Sequence, residues 1–276
     1  MRHLGLKVRM LLAGSILFGF YMLVATVLLF YFGLQFWPLV LLGILVLPVV
    51  QYTFGKWAAV RSVGAEDMPE DGDFRRIHQR TEELSRSMDI EKPRLMVASM
   101  GTPNAFATGR RGAGVVVVST ELLQVLDDRE LDGVIAHELA HIRNRDVITM
   151  VLGQSIAMLV GYLAYFAILF GGQRNIGTWI LALVASQVAS MIVIVFVMAI
   201  SRYREYVADD DAREAIGTGE PLARALEKIA VVSENRESTV DDSMAALCIF
   251  NREQGLLQSL FATHPPAEKR IERLRN

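Results

Sequence analysis

The chain has 276 residues, of which 52% are hydrophobic and 21% are charged, and its formal net charge at pH 7 is −2. Its mean hydropathy of +0.33 is too high for an ordinary soluble domain of this length. The near-neutral charge gives no indication of nucleic-acid binding. Cys248 is the single cysteine, which excludes an internal disulfide and disfavours a metal site built from thiolates.

Apolar residues gather in four runs, at residues 10–32, 36–54, 147–170 and 176–200. Each run approaches or exceeds the ~20 residues that a helix needs to cross a hydrocarbon core ~30 Å thick. The first run is long, lacks a clear small-residue cleavage site and precedes a second run, which disfavours a signal peptide. We therefore expect four transmembrane helices in two hairpins. The alternative for the last two runs is a pair of buried core helices.

Basic residues mark one end of every run. Two short connections join the runs in pairs, at residues 31–38 and 171–175. The basic residues lie at the opposite ends of the runs: Arg2, Lys7, Arg9, Lys56, Arg61, Arg143, Arg145, Arg202 and Arg204. The positive-inside rule then places both termini and the hydrophilic sequence on the cytoplasmic side of a cytoplasmic (inner) membrane. We interpret Arg202 and Arg204 as span-end anchors rather than as catalytic groups.

The hydrophilic sequence is predicted to form one cytosolic domain from two separate pieces. The predicted organisation is an amino-terminal transmembrane hairpin at 1–59, a first domain part at 60–146, a second hairpin at 147–200 and a second domain part at 201–276. Together the two polar parts are large enough for one compact domain.

The polar parts have the patterns of a small α+β domain. Residues 94–99 and 114–120 have strand-like composition and are joined by a turn region rich in Gly, Pro and Asn. Helical spacing is found at residues 74–88, 220–232 and 265–275, and in a further helix that Asp127 or Asp128 can cap. The expected fold class is a mainly α membrane protein with a cytosolic α+β domain that contains a small sheet.

Residues 137–141 read His-Glu-Leu-Ala-His, an HExxH sequence. On a helix, His137 and His141 lie one turn apart on the same face, where both imidazoles can bind one zinc ion. Glu138 stands beside them and can take a proton from a zinc-bound water. The sequence predicts a zincin-like catalytic helix. The motif is short, however, and a chance match in an ordinary helix is the alternative.

A catalytic zinc site needs a third protein ligand and one open coordination position. The metzincin continuation would place Gly at position 144 and His at position 147, but Asn144 and Val147 stand there. The other common solution is a distant glutamate, for which Glu205 is the first candidate. Glu214 and His264 are the next candidates.

Counting along the second hairpin supports Glu205. If the last two apolar runs are antiparallel helices, residues equidistant from the turn around Gln173 lie at equal depth. Glu205 then returns to the level of His141, and Asp209 returns to the level of His137. We predict Glu205 as the third zinc ligand and Asp209 as a carboxylate that orients a histidine ring. The alternative is that these carboxylates belong to a solvated acidic face.

Taken together, the motifs resemble those of a known family. The matching residues are the HExxH segment with Asn144 and Asp146, Ser201 and Arg202 with residues 205–209, residues 104–107 with Gly109, and residues 263–266 with Arg270 and Ile271. This pattern resembles the HtpX-type integral-membrane zinc metalloproteases, relatives of the CAAX prenyl proteases, over nearly the whole chain. The resemblance implies a membrane endopeptidase with a cytosolic site and one zinc ion per chain. In bacteria it also implies stress-related quality control of misfolded membrane proteins.

Two further roles follow from the same patterns. Residues 104–109 lie between the two strand-like segments and could form an edge strand that pairs with an extended protein substrate through backbone hydrogen bonds. Asn104, Ala105 and Phe106 are the predicted substrate-binding residues. The alternative is a plain hairpin loop. His264 could hydrogen-bond a developing oxyanion, or it could simply precede Pro265 at a helix start. The expected partners are protein or peptide substrates and the lipid bilayer.

Two other classes of function stay open from the sequence. A non-enzymatic scaffold or channel could retain a structural zinc, although such a site normally has four protein ligands. No fourth histidine or cysteine lies near the motif in the sequence. A zinc hydrolase acting on a lipid-linked molecule is the second rival.

Overall fold

The computed structural model describes residues 37–171, 175–235 and 265–276. The first predicted span, at residues 10–32, lies outside the described residues, as do Gln173 and His264. The helices are α1 (Trp37–Ser62), α2 (Arg75–Ser87), α3 (Thr120–Val125), α4 (Asp128–Arg143), α5 (Asp146–Gly171), α6 (Ile176–Ile216), α7 (Glu220–Asn235) and α8 (Ala267–Arg275). The strands are β1 (Glu66–Asp67), β2 (Arg94–Ala98), β3 (Ala105–Thr108) and β4 (Val115–Ser119), and Gly72–Phe74 forms a 3₁₀ turn.

The chain divides into two compact units. Their described parts are residues 37–53, 150–171 and 175–199 in the first unit, and residues 54–149, 200–235 and 265–276 in the second. Helices α5 and α6 each begin or end in the second unit. The domain boundaries that the sequence predicts, after residues 59, 146 and 200, are not tested by this division.

Helices α5 and α6 are long and apolar enough to cross a membrane, by length and composition. Only 17% and 22% of their most apolar windows are buried, so most of these side chains face outward. Within the first unit, Ser190 Oγ donates a 2.9 Å hydrogen bond to the backbone O of Ala157. A Cβ atom on Gly153 would lie 3.0 Å from Val197. Along α6 the contact moves from Ser190 to Val197, while along α5 it moves back from Ala157 to Gly153. The two helices therefore run antiparallel.

The second unit contains a four-stranded mixed sheet with the order β1-β2-β4-β3. Strands β2 and β4 pair in parallel, whereas β1 and β3 pair antiparallel with their neighbours. Strand β4 is buried along its whole length, as its run of four valines favours. Strand β3 lies at one edge of the sheet. The expected fold class of a mainly helical chain with a small sheet is thereby confirmed, while four membrane spans stay a prediction.

Helix α4 carries the HExxH segment and begins where the sequence predicts. The Asp127 side chain accepts hydrogen bonds from the N–H groups of Arg129 and Glu130, and the Glu130 side chain accepts one from the N–H of Asp127. This capping box satisfies backbone donors that the first helical turn leaves without partners. The helix packs against α2, α7 and β3. It is therefore a rigid central support for any side chain it presents.

Gly133 lets α4 and α7 approach closely. A Cβ atom at this position would lie 2.7 Å from the backbone N of Leu222, so Gly133→Ala must push the two helices apart. We expect a destabilisation of about 1–3 kcal/mol, because this overpacking cost exceeds the better helix propensity of alanine. Thermal unfolding followed by circular dichroism measures the effect.

Gly55→Ala is the matched control for that substitution. Gly55 lies in α1, and a Cβ atom there would meet nothing within 4 Å. The melting temperature of the Gly55→Ala variant should equal or exceed that of the unchanged protein. Equal melting temperatures for the two variants would contradict the close approach of α4 and α7.

Candidate metal centre

Two histidines on α4 and one glutamate on α6 bring three ligand atoms together in the second unit. These atoms of His137, His141 and Glu205 all lie within 4.8 Å of one another. The Nε2 atoms of the two histidines are 3.2 Å apart. The two carboxylate oxygens of Glu205 lie 3.6 Å from them, one oxygen facing each ring. All three side chains are at least largely buried, so the group is shielded from bulk water.

The distances suit a tetrahedral metal ion. Zinc–nitrogen and zinc–oxygen bonds of about 2.1 Å separate two tetrahedral ligands by about 3.4 Å, close to the spacing of these three atoms. Two imidazoles and a carboxylate are also the donor set of several catalytic zinc sites, which keep a fourth position open. The residues present therefore fit a zinc ion.

Asp209 and Arg270 hold the ring of His137. Asp209 Oδ1 lies 3.0 Å from His137 Nδ1. Arg270, on α8, donates to both Asp209 oxygens, with distances of 2.9 Å from Nε and 2.6 Å from Nη2. Its Nη1 atom also lies 3.4 Å from Glu205 Oε2. Sequence reasoning placed Asp209 beside a histidine but gave Arg270 no role, since nothing in the sequence of α8 shows which of its arginines is buried.

The pKa of His137 reflects this buried and charged setting. Burial and the Arg270 guanidinium both lower the pKa, but hydrogen bonding with Asp209 and Glu205 outweighs them and raises the pKa of His137 to about 9. A metal ion binds the neutral imidazole through its lone pair. Loading of the site therefore releases a proton from this ring.

Asp146 takes the corresponding place beside His141. Asp146 is the first residue of α5, and its Oδ2 atom lies 2.5 Å from His141 Nδ1. Its Oδ1 atom lies 2.9 Å from Nε of Arg204 on α6. Because a carboxylate occupies the Nδ1 side of both histidines, each ring presents Nε2 to the shared metal position. This role for Asp146 was not predicted from the sequence. The signal that could have indicated it is a carboxylate at the first position of an apolar helix.

The other predicted site residues are placed as follows. Glu138 follows His137 on α4 and is only 3% exposed, and its charge interacts with Arg270. Glu214, an alternative third ligand, is exposed on α6 and is not a member of the ligand group. His264 lies outside the described residues.

The predicted substrate strand is β3. Ala105 pairs with Val118 and Phe106 pairs with Val117 of β4, so the opposite edge of β3 is not used within the sheet. The side chains of Asn104, Ala105 and Phe106 are buried. Any pairing with a substrate must therefore use the backbone of this strand rather than these side chains. Strand β3 also packs against α4, the helix that carries both histidines.

Glu121 holds the loop that leads into β3. Its Oε1 atom accepts hydrogen bonds from Ser99 Oγ at 3.0 Å and from the N–H of Gly101 at 2.9 Å, and its Oε2 atom accepts one from the N–H of Met100 at 3.2 Å. Burial raises the pKa of Glu121, but these hydrogen bonds and one from its own N–H outweigh burial and keep the pKa below its ordinary range. The carboxylate is thus ionised at neutral pH and anchors the loop.

Comparison with known proteins gives the family. The pattern of peptidase family M48 matches residues 71–276. A protease HtpX homolog of Halobacterium salinarum is 51% identical and covers 97% of this chain and 100% of its own length. A protease HtpX homolog of Aquifex aeolicus is 38% identical, over 82% of this chain and 78% of its own length.

A solved structure shares the fold. The crystal structure of S. mikatae Ste24p aligns with a TM-score of 0.57 and 16% sequence identity. The alignment covers 84% of this chain, and this chain spans 58% of the Ste24p chain. The likeness extends over most of the present fold and says nothing by itself about substrates.

The two histidines, the glutamate and the helix-and-sheet frame that holds them define a metallopeptidase. The chain belongs to peptidase family M48 and is similar to the HtpX proteases. The family resemblance inferred from the motifs is confirmed, and so is the expectation of an enzyme that acts as a protease.

The role of Glu121 gives a prediction for the loop before β3. Glu121→Gln removes the negative charge that two backbone N–H groups and one hydroxyl share, which weakens these hydrogen bonds. We expect amide hydrogen exchange at Met100 and Gly101 to accelerate about 10-fold at pH 7, since a loss of ~1.4 kcal/mol is typical for bonds to a charged group.

Mass spectrometry of deuterated peptides measures this exchange. Glu83→Gln is the control. Glu83 is exposed on α2 and pairs with Arg80 rather than with the loop before β3. Unchanged exchange in the Glu121 variant would show that the carboxylate does not hold the loop.

Proposed function

We propose that the chain is a membrane-embedded zinc endopeptidase that cuts protein or peptide substrates at the cytoplasmic face of the membrane. The observation that carries the proposal is the convergence of His137, His141 and Glu205, whose ligand atoms lie within 4.8 Å of one another. The Nδ1 atom of each histidine faces a carboxylate, which leaves Nε2 of each ring on the side of the proposed metal position. One zinc ion per chain is the expected cofactor.

In this proposal Glu138 moves the proton. A zinc ion held by His137, His141 and Glu205 would supply the Lewis acidity that activates the attacking water and polarises the scissile carbonyl. Glu138 is buried next to His137, where its carboxylate accepts the proton of the attacking water and returns it to the leaving amine. The protonation matters because an amine leaves poorly as its anion. His264 is assigned the hydrogen bond to the developing oxyanion.

The edge strand β3 is the proposed binding place for substrate. An extended chain that pairs with the backbone of Ala105 and Phe106 gains hydrogen bonds that do not depend on its own side chains. Such binding suits an enzyme that degrades many unfolded sequences. We therefore propose misfolded proteins, including membrane proteins, as the substrate class.

A structural zinc role is supported less well. Structural zinc sites normally use four protein ligands, whereas the group found among the described residues has three. Membership of a peptidase family argues against a hydrolase of lipid-linked molecules. The site and the family together favour peptide bond cleavage.

The proposed topology has four membrane spans in two hairpins, with both termini and the site in the cytoplasm. Two of these spans correspond to α5 and α6, whose apolar side chains face outward. The second predicted span, at residues 36–54, falls largely within α1. The distribution of Lys and Arg at the ends of the runs gives the orientation.

Glu138→Gln tests the chemistry. The substitution removes the base but leaves all three ligands, so zinc content should stay near one ion per chain while proteolysis falls by about 10²–10⁴-fold. Casein degradation and elemental analysis of the purified protein measure the two quantities. Chelator treatment of the unchanged protein should also abolish activity.

Glu214→Gln serves as control, because Glu214 is exposed on the same helix as Glu205. It should retain full activity and zinc. A zinc-loaded Glu138→Gln protein that still degrades casein at a substantial rate would refute the role of Glu138.

Cysteine labelling tests the topology. In a Cys248→Ser background, cysteines at Gln35 and Gln173 should react from outside intact cells with a membrane-impermeant reagent. Cysteines at Gly72 and Asn251 should react only after the cells are opened. The reverse pattern would place the site on the opposite face of the membrane.

A further inference from the structure

We propose that Asp146 and Arg204 are positioning residues for the metal ligand His141, and that they make metal affinity depend on the seating of α6 against the first turn of α5. This inference rests on the proposed metal centre. It assigns a role to two charged residues at the ends of the apolar helices, one of which the sequence presents as a membrane anchor.

The geometry forms a chain of three side chains. His141 Nδ1 lies 2.5 Å from Asp146 Oδ2, and Asp146 Oδ1 lies 2.9 Å from Arg204 Nε. His141 Nε2 points the other way, toward Glu205 Oε1 at 3.6 Å. A carboxylate on Nδ1 keeps the proton on that nitrogen and leaves the Nε2 lone pair for the metal.

The burial of Arg204 separates it from a surface anchor. Its side chain is 17% exposed, whereas the side chain of its neighbour Tyr203 belongs to the exposed apolar residues, at 68%. An arginine that only marks a membrane surface keeps its charge among head groups or water. The guanidinium of Arg204 instead lies against Asp146, which is 3% exposed.

The position of Arg204 on α6 makes it suited to this task. It directly precedes Glu205, and successive helical residues point about 100° apart. One turn of α6 therefore presents a carboxylate to the metal side of His141 and a guanidinium to the carboxylate behind that ring. A shift or rotation of α6 would disturb both contacts at once.

Charge compensation explains why the arginine is needed. A buried carboxylate without a cation is costly and moves toward any available donor or solvent. The amino-terminal end of α5 favours the negative charge of Asp146, but it does not fix the direction in which the carboxylate points. The ion pair with Arg204 draws Oδ1 toward α6 and leaves Oδ2 facing Nδ1 of His141, and we infer that this sets the plane of the His141 ring. Around His137 the pair of Asp209 and Arg270 also places a carboxylate on Nδ1 and a guanidinium on that carboxylate. There, however, the arginine also contacts the ring itself, with Nη2 3.2 Å from His137 Nε2.

Zinc affinity tests the inference without reliance on activity. The variants Arg204→Leu, Asp146→Asn and the double substitution are made in the Glu138→Gln background, and zinc Kd is measured by competition with a chromophoric chelator. We expect Arg204→Leu to raise Kd about 10-fold and Asp146→Asn about 10- to 100-fold. The double variant should bind no more weakly than Asp146→Asn alone, because Arg204 acts through Asp146.

Further variants separate positioning from general structure. Arg213→Leu, at an exposed site on the same helix, should leave Kd unchanged. Arg204→Lys, which restores the positive charge, should give a Kd between those of the parent and Arg204→Leu. If Arg204→Leu fails to fold, Arg204→Gln takes its place with the same expected Kd. An unchanged Kd in a folded, neutral Arg204 variant, or additive losses in the double variant, overturns the inference.

Glu205→Ala distinguishes failure of this inference from failure of the metal centre. It should abolish tight zinc binding. If Glu205→Ala binds zinc as tightly as the parent, the proposed centre itself is wrong. If Glu205→Ala loses zinc while neutral Arg204 variants bind normally, the centre stands and the role of Arg204 is refuted.

Discussion

The fold depends on a set of charged side chains that are removed from water around two histidines. The four charged residues are all almost completely buried: Asp146, Glu205, Asp209 and Arg270. Removing one partner from such a buried pair costs about 3–5 kcal/mol, because the remaining charge is left without compensation. The helices that carry these residues must therefore all be in place together. The geometry of the proposed metal centre and the packing of the second unit therefore depend on each other.

The last helix, α8, belongs to the same set of charge pairs. Three arginines of α8 pair with carboxylates on α6 and α7: Arg270 with Asp209, Arg273 with Asp210, and Arg275 with Glu220 and Glu227. The exposed pairs contribute little individually. The buried pair of Arg270 and Asp209 holds a carboxylate against His137, a proposed metal ligand, so the position of α8 is coupled to the geometry of that ring.

The proposed substrate-binding strand, β3, depends on its backbone rather than on its side chains. Three of the four side chains of β3 are buried and that of Ala107 is half-buried, which leaves the backbone as the part that an extended chain can pair with. Glu121 holds the preceding loop through backbone N–H groups. Strand β3 packs against α4, and this placement is compatible with the proposed recognition of extended chains through their backbone.

The sequence by itself determined the features that depend on local periodicity and counting. The helical repeat places His137 and His141 on one face, and the antiparallel hairpin brings Glu205 and Asp209 to their depth. Strands β2 and β4 and the Asp127 cap were also predictable from composition and local hydrogen bonding, whereas the two-residue strand β1 was not predicted. Tertiary structure alone decided the rotation of α6, the burial of Arg270 and the pairing of Arg204 with Asp146. These contacts join residues far apart in the chain, and a long-range pairing of charges leaves no periodic signal in the sequence.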